Sequence, residues 1–320
     1  METALARRVR ELGYVLDRTL MDNPRKGQIT ALMTASDSRR VVVKWVVNPG
    51  TGAACGLLKE IRFYRSAGRS HCAVPIHVED DLLVLAYVDS VPLRRWLRTY
   101  LDAHPDDLVA PDFAAVMDRY GDLLEEWYGQ VPFVFSADTR TSLAAMMNRL
   151  MNSGPSDARG GVLERVANRL LSWPARLMLA LQTRRWSVTE SENAVPVHGD
   201  LHLNNLLVAK ADSRMLGMLA VDWETVQDGS PLLDLLYSSA MIRALLDGRP
   251  RHLDCLDEAV SRLADRWTPG QKHLFDFYSE SFALAVSINR RFLHRVSGRT
   301  IAGRMALFPW RFARRRISPR

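Results

Sequence analysis

The chain has 320 residues, 47% apolar and 25% charged, with 18 Gly and 15 Pro spread along it, a composition that excludes disorder, collagen and coiled coil and suits one large or two ordinary globular domains. Its formal charge of +7 raises nucleic acid, an anionic membrane or an anionic substrate as partners. Ten arginines and no Asp or Glu lie between Arg290 and Arg320, however, so the other 289 residues carry 33 basic against 36 acidic groups and form a slightly acidic body.

Met1 to Leu16 reads as an amphipathic helix. Glu2, Arg7, Arg8, Arg10 and Glu11 lie among its apolar residues and leave no uncharged signal-peptide core. Ile29–Ala35 and Arg40–Val47, rich in β-branched residues and separated by the Asp37-Ser38 turn, read as a hairpin. Ala53–Ala67 has helical spacing, with Leu57, Ile61 and Tyr64 on one stripe. Val74–Val78 and Leu82–Val88 follow as strands across Asp80-Asp81. The longest apolar runs, Val41–Val47 and Leu82–Val88, are too short to cross a bilayer, and a cytoplasmic location is expected. Cys55, Cys72 and Cys255 have no CxxC or Cys/His spacing and read as apolar fillers, with neither a disulfide framework nor a zinc site.

From Val91 the pattern turns helical: Leu93–Tyr100, Pro111–Gln130, Thr141–Met151 and Gly161–Trp186. Brief strand-like pieces interrupt it at Val195–His198, Leu206–Ala209 and Leu216–Val221, and helices return at Pro231–Leu246, Leu253–Trp267 and Gln271–Val296. Ser230-Pro231 reads as an N-cap and first-turn pair. The expected class is α+β: an N-terminal nucleotide-binding lobe over residues 1–90, built from a small sheet and one main helix, a larger and mainly helical catalytic and acceptor-binding lobe over 91–300, and a basic tail over 301–320.

The chemistry is concentrated in His198-Gly199-Asp200-Leu201-His202-Leu203-Asn204-Asn205 and in Val221-Asp222-Trp223-Glu224. An Asp and an Asn five positions apart, followed by a second Asp after a strand, can assemble a phosphoryl-transfer site. One carboxylate meets the attacking hydroxyl, while an amide oxygen and another carboxylate hold the Mg2+ that bridges nucleotide phosphates. A hairpin of Leu206–Ala209 and Leu216–Val221 would bring Asn205 and Asp222 to one edge. A lone HGD is more often a turn, and an Asp after an apolar run often caps an element; the combination carries the signal.

HGDLHLNN with VDWE resembles the aminoglycoside phosphotransferase and choline kinase-like family, small-molecule kinases whose two-lobed fold is similar to that of protein kinases. The resemblance runs from about Asp22 to Tyr237. It implies that Asp200 is the catalytic base, Asn205 a Mg2+ ligand, Asp222 the principal Mg2+ ligand and His198 a structural brace of the loop. His202 also fits the motif. Asp234 matches the family's acidic residue after the metal Asp, with a structural role bracing the loop, and Trp223 and Glu224 match too, with Glu224 near metal or substrate.

A kinase-type site also needs a strand lysine that holds nucleotide phosphates, oriented by a helix carboxylate. Lys44 is the only charged residue in Val41–Val47, and Glu60 is the only acidic residue between Lys44 and Glu79. Taken alone Lys44 could be an outward strand residue; the Glu60 pairing argues for a buried pair in which each side chain relieves the other's desolvation. The segment Asn23–Gln28 stands where a phosphate-covering loop belongs, with Gly27 as its one glycine; backbone amides there compete with a plain turn. Leu85–Asp89 reads as the connector between lobes, with Tyr87 and Val88 offering backbone to a purine edge or else ending a strand.

The cofactors implied are ATP or GTP with Mg2+. The expected function is transfer of the γ-phosphate to a hydroxyl of a sugar, amino alcohol, aminoglycoside or other natural product. The rivals are a kinase of a membrane-linked glycan or lipid headgroup and a non-catalytic nucleotide-binding regulator. For the arginine-rich end, with its Phe308-Pro309-Trp310-Arg311-Phe312 segment, a solvated tail ranks first. Peripheral contact with the anionic inner membrane face follows it, and nucleic acid comes last.

Overall fold

The computed structural model describes residues 4–23, 27–47, 54–66, 71–129, 195–210, 217–229, 231–246 and 248–264, together with Lys272, Phe275 and Ser279. The helices expected at Thr141–Met151 and Gly161–Trp186, nearly all of Gln271–Val296, and the basic tail lie outside the described residues. Two compact units divide the chain. The first is Met1–Trp96 with His198–Asp200 and Asn204–Gln227; the second is Leu97–Val197 with Leu201–Leu203 and Asp228–Arg320. The expectation of a boundary near residue 90 follows chain order, whereas the first unit also takes in 198–200 and 204–227.

In the first unit, α1 (Ala4–Glu11) leads into five antiparallel strands, β1 (Tyr14–Asn23), β2 (Gln28–Ala35), β3 (Arg40–Val46), β4 (Pro75–Val78) and β5 (Leu82–Ala86), in the order β1-β2-β3-β5-β4. Helix α2 (Ala54–Ser66) lies between β3 and β4 in sequence. The opening helix is shorter than expected and β1 is an additional strand. Gly13, at φ +81°, donates its N–H to the Arg10 carbonyl and ends α1. Along β1 the register shifts between Leu16 and Arg18 and again between Thr19 and Met21, which breaks the two-residue alternation that marks a strand in sequence.

The alternation is intact in β3. Val41, Val43 and Trp45 join Val9 of α1, Ala31, Met33, Leu82 and Val84 in one apolar cluster. Lys44 falls between two members of that cluster, so the pleat turns its side chain to the opposite face. It pairs there with Thr30 on one side and Leu83 on the other.

A second, three-stranded sheet in the order β6-β8-β9 is built from β6 (Ser90–Pro92), β8 (Leu206–Ala209) and β9 (Met218–Ala220). Its antiparallel registers Val91↔Val208 and Leu207↔Leu219, with the bridge Cys72↔Ala220, bring the stretch before Asp222 back to the N-terminal unit. A short pair links β7 (Val195–Val197) with β10 (Gln227–Gly229).

The remaining helices are α3 (Leu93–Ala103), α4 (Pro111–Tyr128), α5 (Leu232–Leu245) and α6 (Pro250–Ala264). Pro111 opens α4 as expected, and Phe113, Val116, Met117, Tyr120, Leu124 and Trp127 form its buried stripe. Where α4 meets α6, a Cβ on Gly121 would lie 3.2 Å from the Ala259 carbonyl oxygen, and Arg262 bonds Asp118 and Asp122 at 2.6 Å each. No helix among the described residues is long and apolar enough to cross a membrane.

Candidate active site

Lys44 and Glu60 meet as the sequence predicts. Lys44 Nζ donates to Glu60 Oε2 at 2.7 Å and Oε1 at 3.0 Å, and also to Asp222 Oδ1 at 3.1 Å. Glu60 is fully buried, whereas the Asp222 side chain is 42% exposed. Burial pulls against the Lys44 charge, but the Glu60 carboxylate and then Asp222 outweigh it and hold the ammonium above its ordinary range. Burial pushes the Glu60 carboxyl up while Lys44 draws it back. The Trp223 N–H donates to Glu60 Oε1 at 3.3 Å, a contact no sequence spacing announces.

Asp222 follows β9 with φ +70° and ψ +59°, left-handed for a residue with a Cβ. The 3-10 turn Trp223–Thr225 begins immediately after it. Trp223 is completely buried, stacked on Phe63 of α2 with ring centroids 4.0 Å apart and tilted against His198 at 4.6 Å. His198 Nε2 donates to the Val221 carbonyl at 2.9 Å, and Thr225 Oγ1 donates to the His198 carbonyl at 2.7 Å. His198 therefore links the start of the loop that holds Asp200 to the stretch on either side of Asp222.

Between them Gly199 adopts φ +78°, and a Cβ there would lie 2.6 Å from the Thr225 carbonyl oxygen. Both the backbone angle and the contact demand glycine. Gly199→Ala is expected to lower the unfolding free energy by ~2–4 kcal/mol, combining left-handed strain with a rigid clash. Thermal unfolding of the variant beside the wild type checks this; an unchanged midpoint would count against the geometry.

Asn205 is buried and donates from Nδ2 to the main-chain carbonyl of Asp200 at 3.0 Å; its own carbonyl accepts from Val221 N–H at 2.9 Å. The Nδ2 bond fixes the side-chain amide beside the Asp200 loop, and the main-chain bond places Asn205 on the strand pair that also leads to Asp222. An amide oxygen and a half-exposed carboxylate are hard oxygen donors, the type a Mg2+ ion takes, so the residues present fit that cation. Carboxylate oxygens of Glu60, Asp222 and Glu224 also lie within 4.8 Å of one another.

Above this polar end is a pocket of about 360 Å³. Val42, Leu85, Leu207 and Leu219 contribute to its apolar part, and Tyr87, Val88, Lys44, Asn205 and Asp222 line it too. The Tyr87 N–H donates to the Arg40 carbonyl at 3.2 Å, and the Arg40 guanidinium sits 4.5 Å from the Tyr87 ring centroid. Gly27, at φ +58°, is buried, and its carbonyl accepts from Val47 N–H at 2.7 Å; residues 24–26 of the expected loop lie outside the described residues.

The other two sequence candidates belong to the second unit. The His202 ring tilts against Tyr237 with centroids 6.5 Å apart. Asp234 is fully buried and accepts from Tyr128 Oη of α4 at 2.5 Å. Sequence reasoning overlooked the side chain of Gln28 and the whole of Gly56. Gln28 is buried at the start of β2 and donates from Nε2 to Glu224 Oε1. At Gly56 a Cβ would meet Glu224 Cβ at 3.2 Å and Oε2 at 3.3 Å. A polar residue beside Gly27, on the same face of β2 as Thr30, was the only available hint.

The model of the phosphotransferase enzyme family matches residues 31–260. Among solved structures, the apoenzyme of macrolide 2'-phosphotransferase MphH from Brachybacterium faecium is 16% identical, with 95% of this chain and 96% of that chain covered and a TM-score of 0.51. The AMP-bound spectinomycin phosphotransferase APH(9)-Ia is 11% identical over 95% and 90% of the two chains, with a TM-score of 0.50. The streptomycin-ATP-APH(2")-IIa ternary complex is 12% identical over 91% and 90%, with a TM-score of 0.51. These likenesses speak to fold, and a search of curated proteins gave no match. With the family model spanning most of the chain and the two-lobed α+β, protein-kinase-like architecture shared with the solved structures, the chain belongs to the phosphotransferase enzyme family, enzymes that phosphorylate hydroxyl groups of small molecules.

Proposed function

We propose that this phosphotransferase uses ATP and Mg2+ to phosphorylate a hydroxyl of a sugar, amino alcohol, aminoglycoside or related natural product, with Asp200 as the base. The observation that carries the reading is the Lys44 ammonium held between Glu60 and Asp222 at the polar end of an apolar pocket. The apolar part suits a purine, the ammonium suits the phosphates, and Asn205 and Asp222 would hold the cation. When bound, Mg2+ supplies positive charge that offsets the charge of the transferring phosphoryl group.

The chain's own residues do the rest. Lys44 binds phosphate oxygens while Glu60 keeps its ammonium on the site side of β3. Tyr87 and Val88 place the base, and the Gly199 turn presents Asp200, whose carboxylate accepts the acceptor's hydroxyl proton. Nucleotide-bound and streptomycin-bound relatives support the cofactor and the class of acceptor. The test is ADP release by the purified full chain with ATP, Mg2+ and a panel of aminoglycosides, macrolides, sugars and amino alcohols. Acceptor-dependent, Mg2+-dependent ADP release is expected. ATP binding with no turnover on any acceptor would favour a nucleotide-binding regulator.

A further inference from the structure

Thr30 stands on β2 directly opposite Lys44 of β3. Residues paired in this way project to the same face of a sheet with Cβ atoms about 4.5–5.5 Å apart, and both side chains line the pocket. Thr30 is 8% exposed, and its Oγ1 is shielded from water with no hydrogen-bond partner among the described residues. A buried hydroxyl left without a partner costs stability, and the pocket beside it is where a partner can enter. Other donors around the pocket are engaged. Lys44 has three ammonium hydrogens and three carboxylate oxygens about it, two from Glu60 and one from Asp222. Ser90 Oγ donates to the Val88 carbonyl at 3.0 Å, and Asn205 Nδ2 to the Asp200 carbonyl at 3.0 Å. The Thr30 hydroxyl is uncommitted, and rotation about its Cα–Cβ bond turns either methyl or hydroxyl toward the pocket.

We propose that Thr30 is a nucleotide-binding residue whose hydroxyl donates to a phosphate oxygen that is not transferred, alongside Lys44. This rests on the phosphotransferase reading given above. In a kinase-type site the strand lysine serves the α- and β-phosphates, so the residue paired with it meets the same two groups and not the γ-phosphate. An ammonium shared among carboxylates offers those oxygens charge, whereas a hydroxyl with no other partner offers a directed donor. A bond from a neutral hydroxyl to an ionised oxygen is charge-assisted and stronger than one between neutral groups. The same bond also removes the cost of the unpartnered hydroxyl, so the empty pocket is where Thr30 is least satisfied and the filled pocket is where it is paired.

The test uses the full chain with Mg·ATP, Mg·ADP and adenosine as probes. Calorimetry gives Kd for wild type, Thr30→Val and Thr30→Ser. Valine keeps the β-branched shape of threonine and exchanges the hydroxyl for a methyl, whereas serine keeps the hydroxyl and drops the methyl. Thr30→Val should weaken Mg·ATP and Mg·ADP by about tenfold each and leave adenosine within about twofold of wild type. Thr30→Ser should hold both nucleotides within about threefold. Because the hydroxyl has no partner in the ligand-free protein, Thr30→Val should unfold at the wild-type midpoint or above it. Kd unchanged in Thr30→Val, a loss that extends equally to adenosine, a loss for Mg·ATP that spares Mg·ADP, or a Thr30→Ser variant as weak as Thr30→Val overturns the contact alone. A midpoint that falls in Thr30→Val does the same, since the hydroxyl would then have its partner inside the protein. Wild-type protein that binds neither Mg·ATP nor Mg·ADP overturns the functional reading, and the contact with it.

Discussion

Asp200→Asn is expected to lower kcat by about 10²–10⁴ while the KM for ATP stays within about threefold of wild type. The substitution is nearly isosteric, and it exchanges an acceptor-only carboxylate for an amide that cannot take the hydroxyl proton. The geometry of the loop protects the interpretation. Asn205 bonds the main-chain carbonyl of Asp200, a bond the variant retains. The substitution also leaves untouched the Gly199 turn and the bonds of His198 to Val221 and Thr225. A matched pair of measurements, steady-state rate and equilibrium Mg·ATP affinity, separates chemistry from binding. A variant with wild-type turnover would remove Asp200 from the role of base, and a variant that lost nucleotide affinity with unchanged kcat would assign it to binding.

Glu60→Ala should act on the other kinetic constant and on the fold. Removing Glu60 strips a buried ammonium of its two shortest bonds and the Trp223 N–H of an acceptor, leaving the half-exposed Asp222 as the partner of Lys44. Breaking a buried ion pair from one side costs about 3–5 kcal/mol. With Glu60 gone, Lys44 should swing toward Asp222 and the KM for ATP should rise about tenfold or more, since the ammonium no longer stands where phosphate oxygens need it. Thermal unfolding reads the first effect and nucleotide titration of the folded fraction reads the second. A destabilised protein with wild-type KM would make the pair structural only. Lys44→Met, which removes the phosphate contact itself, should raise the KM at least as much as Glu60→Ala.

Much of the site could be read from residue types. Lys44 stood out as a lone charge in an apolar strand, and Glu60 as the sole acid on the following helix, because burying an unpaired charge is prohibitive and the partner must therefore be nearby. Both lie where that reasoning put them, bonded at 2.7 Å. Asn205 and Asp222 were legible for the same kind of reason: a hairpin of the observed length returns the chain to the same edge, and the Val221 N–H to Asn205 carbonyl bond closes it. The first strand was not legible. Its register shifts spoil the alternation of side chains, and Val15, Leu16 and Leu20 remain exposed on an edge, so local pattern could not distinguish it from the end of the preceding helix.

By itself, then, the sequence determined which chemical groups the enzyme carries and in what order, since hydrophobic period and residue chemistry are local properties of a chain. Proximity across long sequence separations was decided only by the tertiary structure. Lys44 and Asp222 are 178 positions apart, and Gln28 and Glu224 are 196 apart. Neither contact follows from spacing, because each depends on the pairing of β6 with β8 and on the Cys72–Ala220 bridge that carry the second half of the site to the first. The same holds for Gly56 and Gly199. As letters they resemble any other glycine; only the Glu224 side chain against one and the Thr225 carbonyl against the other show what a Cβ would displace.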